Sequence, residues 1–168
     1  MPEGMETARE LFIHELGDAL YAEQTIVKML PKLKSEATDS SLSKGFEKHL
    51  AETQKHVENL KAVFKSIGEP VKAEKCPGIE GLKKEHDEFM TQEKPSDEVC
   101  DMFLTGAAAR TEHYEIAAYT GLVGLAKALG ESEAEKLLSA NLADEKAMLT
   151  EVETIAKRVV KDGVKATA

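Results

Sequence analysis

Residues 104–129 read LTGAAARTEHYEIAAYTGLVGLAKAL, a stretch with the apolar period of one long helix. Leu104, Ala108, Leu122 and other apolar or small residues recur at helical spacing, and Glu115 lies at the centre of that stripe. A carboxylate on a core-facing stripe is costly unless it is paired or bound to a cation. Glu112, one turn earlier, can present a second carboxylate to the same point, where the two like charges repel. The stretch therefore predicts a long bundle helix that contributes to a metal site.

Carboxylates interrupt three other helical patterns in the same way. Glu23 and Glu52 lie 29 residues apart, and Glu115 and Glu145 lie 30 apart, so two helical hairpins would bring all four to one depth of a four-helix bundle. Glu23 alone is more simply interpreted as a boundary residue, but four matched carboxylates indicate a metal site. Asp144 is the counterpart of Glu52 in a weak internal repeat, yet helical phase favours Glu145 as the inward residue and Asp144 as a solvated charge.

Two histidines lie on the same helical face as Glu52. His49 precedes it by three residues and His56 follows it by four, and histidine together with carboxylate suits iron, manganese or zinc. We expect only one of the two to share the depth of the other carboxylates. The di-iron pattern, in which His follows Glu, favours His56 as the ligand, with His49 hydrogen-bonding a ligand carboxylate. His86 is expected to be solvated and His113 to face away from the site.

Start and stop signals predict an all-α fold with four long helices and one short helix. Short turns after the first and third long helices make each pair an antiparallel hairpin, and a crossover that carries the short helix joins the hairpins. Thr7 with Glu10 and Ser132 with Glu135 have capping-box spacing, and Ser40 or Ser41 is the expected cap of the second helix. The predicted helices run from Thr7 to about Ala37, from Ser40 or Ser41 to Gly68, over 79–92, from Pro95 to Gly130, and from Ser132 to about Gly163.

Composition and charge limit the classes of function. The formal net charge of −9 argues against a nucleic-acid or anionic-membrane partner. The two cysteines do not make a disulfide framework, and no apolar run has the roughly 20 residues of a membrane span. Met1-Pro2-Glu3-Gly4 lacks the features of a secretory signal. We expect a cytoplasmic protein with one domain over residues 1–168, whose core covers about 6–162.

Several motifs resemble one family, the YciE/YciF-type ferritin-like stress proteins of bacteria. The Glu-His-Tyr-Glu-Ile-Ala-Ala-Tyr segment at 112–119 is specific, and weaker matches lie at 12–16, 21–24, 49–53, 76–82 and 142–146. The resemblance implies a ferritin-like bundle that is often a homodimer, with iron or another metal in its core, induction under stress and no settled reaction. It also favours His49 as the nitrogen ligand, so the choice between His49 and His56 stays open.

These observations lead to one main hypothesis and one alternative. The main hypothesis is a non-haem site, with two iron ions or else manganese or zinc, that serves iron oxidation or the reduction of peroxide or O2. Its expected ligands are Glu23, Glu52, Glu112, Glu115 and Glu145 with one histidine. The alternative is a non-catalytic bundle for dimerisation or partner binding, in which the metal site is vestigial or structural. The fourth helix has no histidine, which departs from the pattern of two Glu-x-x-His motifs and supports the alternative.

Overall fold

Four long helices and one short helix make up residues 4–168, the part of the chain that the computed structural model describes. The first hairpin consists of α1 (Ala8–Glu36) and α2 (Ser40–Ser66), and the second of α4 (Asp97–Leu129) and α5 (Ser132–Thr167). The short helix α3 (Pro77–Gln92) lies in the connection between them. Within these described residues no helix has both the length and the hydropathy to cross a membrane. Met1–Glu3, on which the expectation of no secretory signal partly rests, lie outside the described residues.

The helix starts agree with the sequence signals at α1 and differ at α2 and α5. Thr7 and Glu10 form the predicted capping box. The cap of α2 is Asp39, because its Oδ1 accepts the backbone N–H groups of Ser41 and Leu42, so the assignment of a serine cap is wrong. At α5 the predicted capping box is also wrong, since the N-cap residue is Glu131 and no side chain bonds the helix start.

Gly163 does not end α5, which continues to Thr167. A Cβ atom at Gly163 would come within 2.8 Å of Met102 Sδ on α4, so this glycine allows two helices to approach closely. By contrast, Gly130 ends α4 as predicted, in the left-handed conformation with φ of 74°. The same amino acid therefore serves close packing at one position and helix termination at the other.

The four long helices form a closed ring of neighbours. α1 packs on α2, α2 on α5, α5 on α4 and α4 on α1, while α3 covers the edge between α1 and α4. Asp101 on α4 fixes the turn between α1 and α2, because it accepts the backbone N–H groups of Thr38 at 2.8 Å and Asp39 at 2.9 Å. The all-α bundle with a short crossover helix is the predicted fold, and it is confirmed.

The apolar core consists of two clusters with a polar layer between them. The cluster at one end includes Phe12, Leu60 and Leu138, and the cluster at the other end includes Phe46, Leu104 and Val152. On α1 the two clusters meet between Leu20 and Ala22, whereas on the other long helices a gap separates them, as between Phe46 and Val57 on α2. The residues between the clusters are buried but polar, and they form the candidate site.

Candidate metal centre

All four long helices contribute to the polar layer. Every member of the layer has a relative exposure of 3% or less, although a folded core normally excludes such groups. The members are Glu23 on α1, His49, Thr53 and His56 on α2, Glu112 and Glu115 on α4, and Asn141 and Glu145 on α5.

Glu145 joins two overlapping groups of donor atoms within this layer. In each group the donor atoms lie within 4.8 Å of one another, and the groups are His49, Glu112, Glu115 and Glu145, and Glu23, His56 and Glu145. Glu145 Oε1 lies 3.0 Å from His56 Nδ1, and Glu145 Oε2 lies 3.6 Å from His49 Nε2. The two oxygens of one carboxylate therefore face two different histidines, and Glu145 would be shared if one cation bound in each group.

The layer also holds the unsatisfied polar atoms of the core. Among residues 4–168, all buried side-chain nitrogen or oxygen atoms that lack a hydrogen-bond partner belong to Glu23, His49, His56, Glu112, Glu115 and Glu145. Both oxygens of Glu115 and both of Glu145 are in this state. Leaving a buried polar group unpaired costs about 1–3 kcal/mol. These eight atoms lie close to one another, as His56 Nδ1 and Glu145 Oε1 do at 3.0 Å, so shared protons or bound cations must satisfy them together.

Each histidine has one ring nitrogen facing the layer and the other facing a carboxylate near the surface. His49 Nδ1 lies 3.4 Å from Glu52 Oε2, and His56 Nε2 lies 3.3 Å from Asp144 Oδ2. Histidines that bind metal commonly have this arrangement, because the outer carboxylate fixes the ring and makes the inner nitrogen more basic. Glu52 and Asp144, the repeat counterparts in the sequence, thus have equivalent positions behind the two imidazoles.

Glu52 itself does not enter the layer, so its predicted place on the core-facing stripe is wrong. Its side chain is 26% exposed. The buried stripe of α2 alternates steps of three and four residues through Phe46, His49, Thr53 and His56, and Glu52 lies one position beside it. Thr53, which sequence reasoning missed, occupies the core position instead and donates its hydroxyl to the backbone oxygen of His49 at 2.8 Å.

The expectation that only one histidine shares the depth of the carboxylates is also wrong. His56 Nδ1 lies 3.2 Å from Glu23 Oε1, and His49 Nε2 lies 3.4 Å from Glu112 Oε1. The two residues are seven positions apart, which is two helical turns on one face, and so both rings point inwards. Asp144, which was interpreted as a solvated charge, is 36% exposed and so only partly solvated, with its Oδ2 against His56.

Tyr119 links Glu23 to a chain of amide side chains. Its buried hydroxyl donates to Glu23 Oε1 and accepts a hydrogen bond from Asn141 Nδ2 at 3.0 Å. Asn59 Nδ2 in turn donates to Asn141 Oδ1 at 2.7 Å. This chain fixes one oxygen of Glu23 and leaves Glu23 Oε2 unpaired within the layer.

Burial controls the protonation of the layer. Burial, reinforced by the nearby charge of Glu145, raises the pKa of Glu112 to about 10 and raises the pKa of Glu115 well above its ordinary value. Burial lowers the pKa of His56, but contacts with Glu145 and Glu23 outweigh it and raise that pKa to about 10. The metal-free layer therefore holds protons at neutral pH, and a cation that binds there displaces them.

The other candidate residues from the sequence lie away from this layer. His86 was expected to be solvated, but it is 3% exposed and its Nε2 lies 2.7 Å from Glu36 Oε2 on α1, so that prediction is wrong. His113 is exposed and faces away from the layer, as predicted. Cys76 and Cys100 are buried free thiols, and neither belongs to the two donor groups.

The donor set matches a pair of divalent cations in type and in charge. It contains four carboxylates and two imidazoles, which are the donors that suit iron, manganese and zinc, and it contains no thiolate. Four ionised carboxylates carry a charge of −4, which two divalent cations neutralise when both histidines are neutral. The residues present therefore fit a two-metal centre.

Comparison with known proteins supports the family resemblance. Residues 7–165 match the family described as "Domain of unknown function (DUF892)". Protein YciF of Escherichia coli (strain K12) is 39% identical over 144 residues, which cover 85% of this chain and 86% of YciF. The crystal structure of that E. coli stress protein aligns with a TM-score of 0.89 at 37% identity, over 94% of this chain and 99% of the other.

Two further structures have the same fold. YcfI from Rhodopseudomonas palustris aligns with a TM-score of 0.88 at 41% identity, over 92% of this chain and 98% of that protein. A two-domain protein from Anabaena variabilis that contains a ferritin-like domain aligns over 98% of this chain and 39% of its own, with a TM-score of 0.51 at 16% identity, which bears on the fold alone. The chain therefore belongs to the DUF892 family, with the ferritin-like helical fold and the likeness to YciF that its sequence motifs predict.

Proposed function

We propose that the protein binds two iron ions in the polar layer and oxidises them with O2 or peroxide as part of a stress response. The observation that carries this proposal is the convergence of the unpaired buried donor atoms of six side chains on one volume. The E. coli relative is described as a stress protein, which supports the physiological setting. Manganese or zinc suits the same donors, so competition between metals belongs in the test.

The arrangement assigns different tasks to the residues of the layer. Bound iron would supply one-electron chemistry, in which two ferrous ions, one O2 and two protons give two ferric ions and one hydrogen peroxide. Glu145 faces both positions and so can hold the two ions at a fixed separation. Glu52 and Asp144 orient the two imidazoles, and Tyr119 orients Glu23. The apolar clusters on both sides exclude water from the layer.

One alternative has some support. The R. palustris relative is described as a structural protein, and a bundle that uses a bound metal only for stability would fit that description. The buried donor layer exists under both proposals, but only the first requires a redox change at the bound metal. Metal binding and metal oxidation must therefore be measured separately.

Titration of the metal-stripped protein with ferrous iron under exclusion of air tests binding. We expect saturation near two equivalents per chain, and a strong loss of affinity in Glu145→Gln, because the substitution removes a carboxylate shared by both donor groups. Glu153→Gln, the same substitution at an exposed site on α5, is the matched control. Exposure of the loaded protein to air should then produce ferric absorbance. The absence of saturable uptake would reject the metal function, whereas uptake without oxidation would favour the structural role.

A further inference from the structure

A narrow cavity connects the surface to the His49 side of the polar layer. It has a volume of about 40 Å³ and lies between α1, α3 and α4, with a further wall from α2. Glu85 and Arg110 line it where the chain is exposed, and His49 and Glu112 line its buried end. The cavity is therefore open towards one of the two donor groups, the group that contains Glu115.

The wall of the cavity between these ends is apolar. Leu33, Leu82, Phe46 and Ala108 are among its lining residues. A space of this size has room for a molecule of a few atoms, and apolar cavities stay dry and take up small apolar molecules such as xenon. The short helix α3 supplies part of this wall, which gives the crossover a role beyond connecting the two hairpins.

The polar atoms along the cavity are already engaged. His86 has one ring nitrogen on Glu36 and the other 3.1 Å from Asp87 Oδ1, and the Thr111 hydroxyl donates to the backbone of its own helix. At the outer end, Arg110 pairs with Glu85 at 3.4 Å. A polar molecule such as hydrogen peroxide would lose its hydrogen bonds to water on entering and would find few partners in return.

We propose that this cavity is the entry site for dioxygen, which reaches the metal layer at its His49 and Glu112 side. The inference rests on the proposed metal function and adds the identity of the oxidant. A small apolar molecule is compatible with the apolar lining of the cavity, whereas hydrogen peroxide would lose hydrogen bonds there. The buried side-chain polar atoms that border the described cavity and lack a hydrogen-bond partner lie at its inner end, where His49 Nε2 and Glu112 Oε2 are unpaired. The oxidant is thus held by apolar contacts until it meets the layer.

Xenon under pressure tests the cavity in crystals of the metal-free protein, independently of any metal chemistry. We expect xenon beside Ala108, and its loss in Ala108→Leu, which fills the space. Ala117→Leu places the same side chain on an exposed position of the same helix and should leave xenon in place. Leu82→Phe narrows the cavity from α3 and serves as a second variant if Ala108→Leu does not fold. The absence of xenon from the wild-type cavity would overturn the proposal.

The oxidation rate of bound iron tests the role of the cavity. After anaerobic loading, Ala108→Leu should oxidise iron with O2 at least tenfold more slowly than wild type, with unchanged iron affinity and less than a twofold change when hydrogen peroxide is the oxidant. An unchanged O2 rate in a variant that has lost xenon, or an equal loss with both oxidants, would overturn the proposal. If the wild type binds no iron, the metal function fails and this route fails with it, and the xenon result still reports on the cavity itself.

Discussion

Glu115→Gln should stabilise the metal-free protein and weaken metal binding at the same time. Both oxygens of Glu115 are buried and unpaired, and burial holds its pKa well above the ordinary value of 4.5. In the folded protein the carboxyl therefore keeps its proton at pH values where the unfolded chain has lost it. The contribution of this group to stability is thus fully present below pH 4.5 and is lost as pH rises.

The size of the effect depends on how far the folded pKa of Glu115 lies above the unfolded pKa. Each pH unit between the unfolded pKa and the folded pKa costs about 1.4 kcal/mol, so the cost grows with pH over that range. Glutamine cannot ionise and removes this cost. Glu115→Gln should therefore raise the free energy of unfolding of the metal-free protein by about 1.4 kcal/mol for each pH unit within that range, and its melting temperature should rise by about 2–4 °C per kcal/mol.

Urea unfolding of chelator-stripped protein at pH 6 and pH 8 measures this difference. The stability gain of Glu115→Gln over wild type should be larger at pH 8, and Glu153→Gln should show no such pH dependence because its side chain is exposed. Metal at 100 times its dissociation constant should stabilise the wild type by about 2.7 kcal/mol per site and the variant by much less. A Glu115→Gln gain that is the same at both pH values would refute the argument that the layer stores a proton at this residue.

Three further predictions follow from the contacts around the layer. Glu52→Gln and Asp144→Asn should each weaken metal affinity about 10–100-fold, measured by anaerobic titration, with little change in metal-free stability, because each carboxylate orients an imidazole and is itself partly exposed. Metal affinity should increase from pH 6 to pH 8, because Glu112 has a pKa of about 10 and must lose its proton to bind a cation. Calorimetry should show the release of at least one proton per chain when metal binds. A metal affinity that does not depend on pH would contradict this prediction. Asp101→Ala should lower the free energy of unfolding in urea by about 2–4 kcal/mol, since two backbone N–H groups of the α1–α2 turn lose their acceptor; a loss below about 1 kcal/mol would show that water replaces it.

The helices were predictable because their signals are local. Three of these signals each depend on a few neighbouring residues: the period of the apolar stripe, the capping box at Thr7 and the glycine at position 130. The helix starts and ends that they predict are found in the structure. The role of Gly163 was not predictable because it depends on Met102, a residue 61 positions away in the sequence that no local signal identifies. The same holds for His86, since its burial comes from the packing of α3 against α1 and α4.

A residue of the candidate site could be predicted where a charged side chain interrupts an apolar stripe and lies at the helical spacing of that stripe. Glu23, Glu115 and Glu145 interrupt apolar stripes, and the structure brings them into one layer. On α2 the carboxylate at the expected spacing is Glu52, which suggested a core position. The stripe of residues that is buried in the structure runs through Thr53 instead. That stripe could have been found in the sequence, because only the register that includes Thr53 keeps alternating steps of three and four residues along the helix.

The same register explains how the chain assembles six donors without two Glu-x-x-His motifs. His49 and His56 are two helical turns apart, about 10.5 Å along the axis, yet their ring centroids are only 6.5 Å apart because both rings lean towards Glu145. Under the proposed function each imidazole would therefore serve a different cation, and the carboxylate between them would be available to both. What matters for such a site is which atoms reach the shared volume. A pair of Glu-x-x-His motifs would supply one carboxylate and one imidazole from each of two helices. Here the same four donors come as two histidines from α2 and two carboxylates from α4.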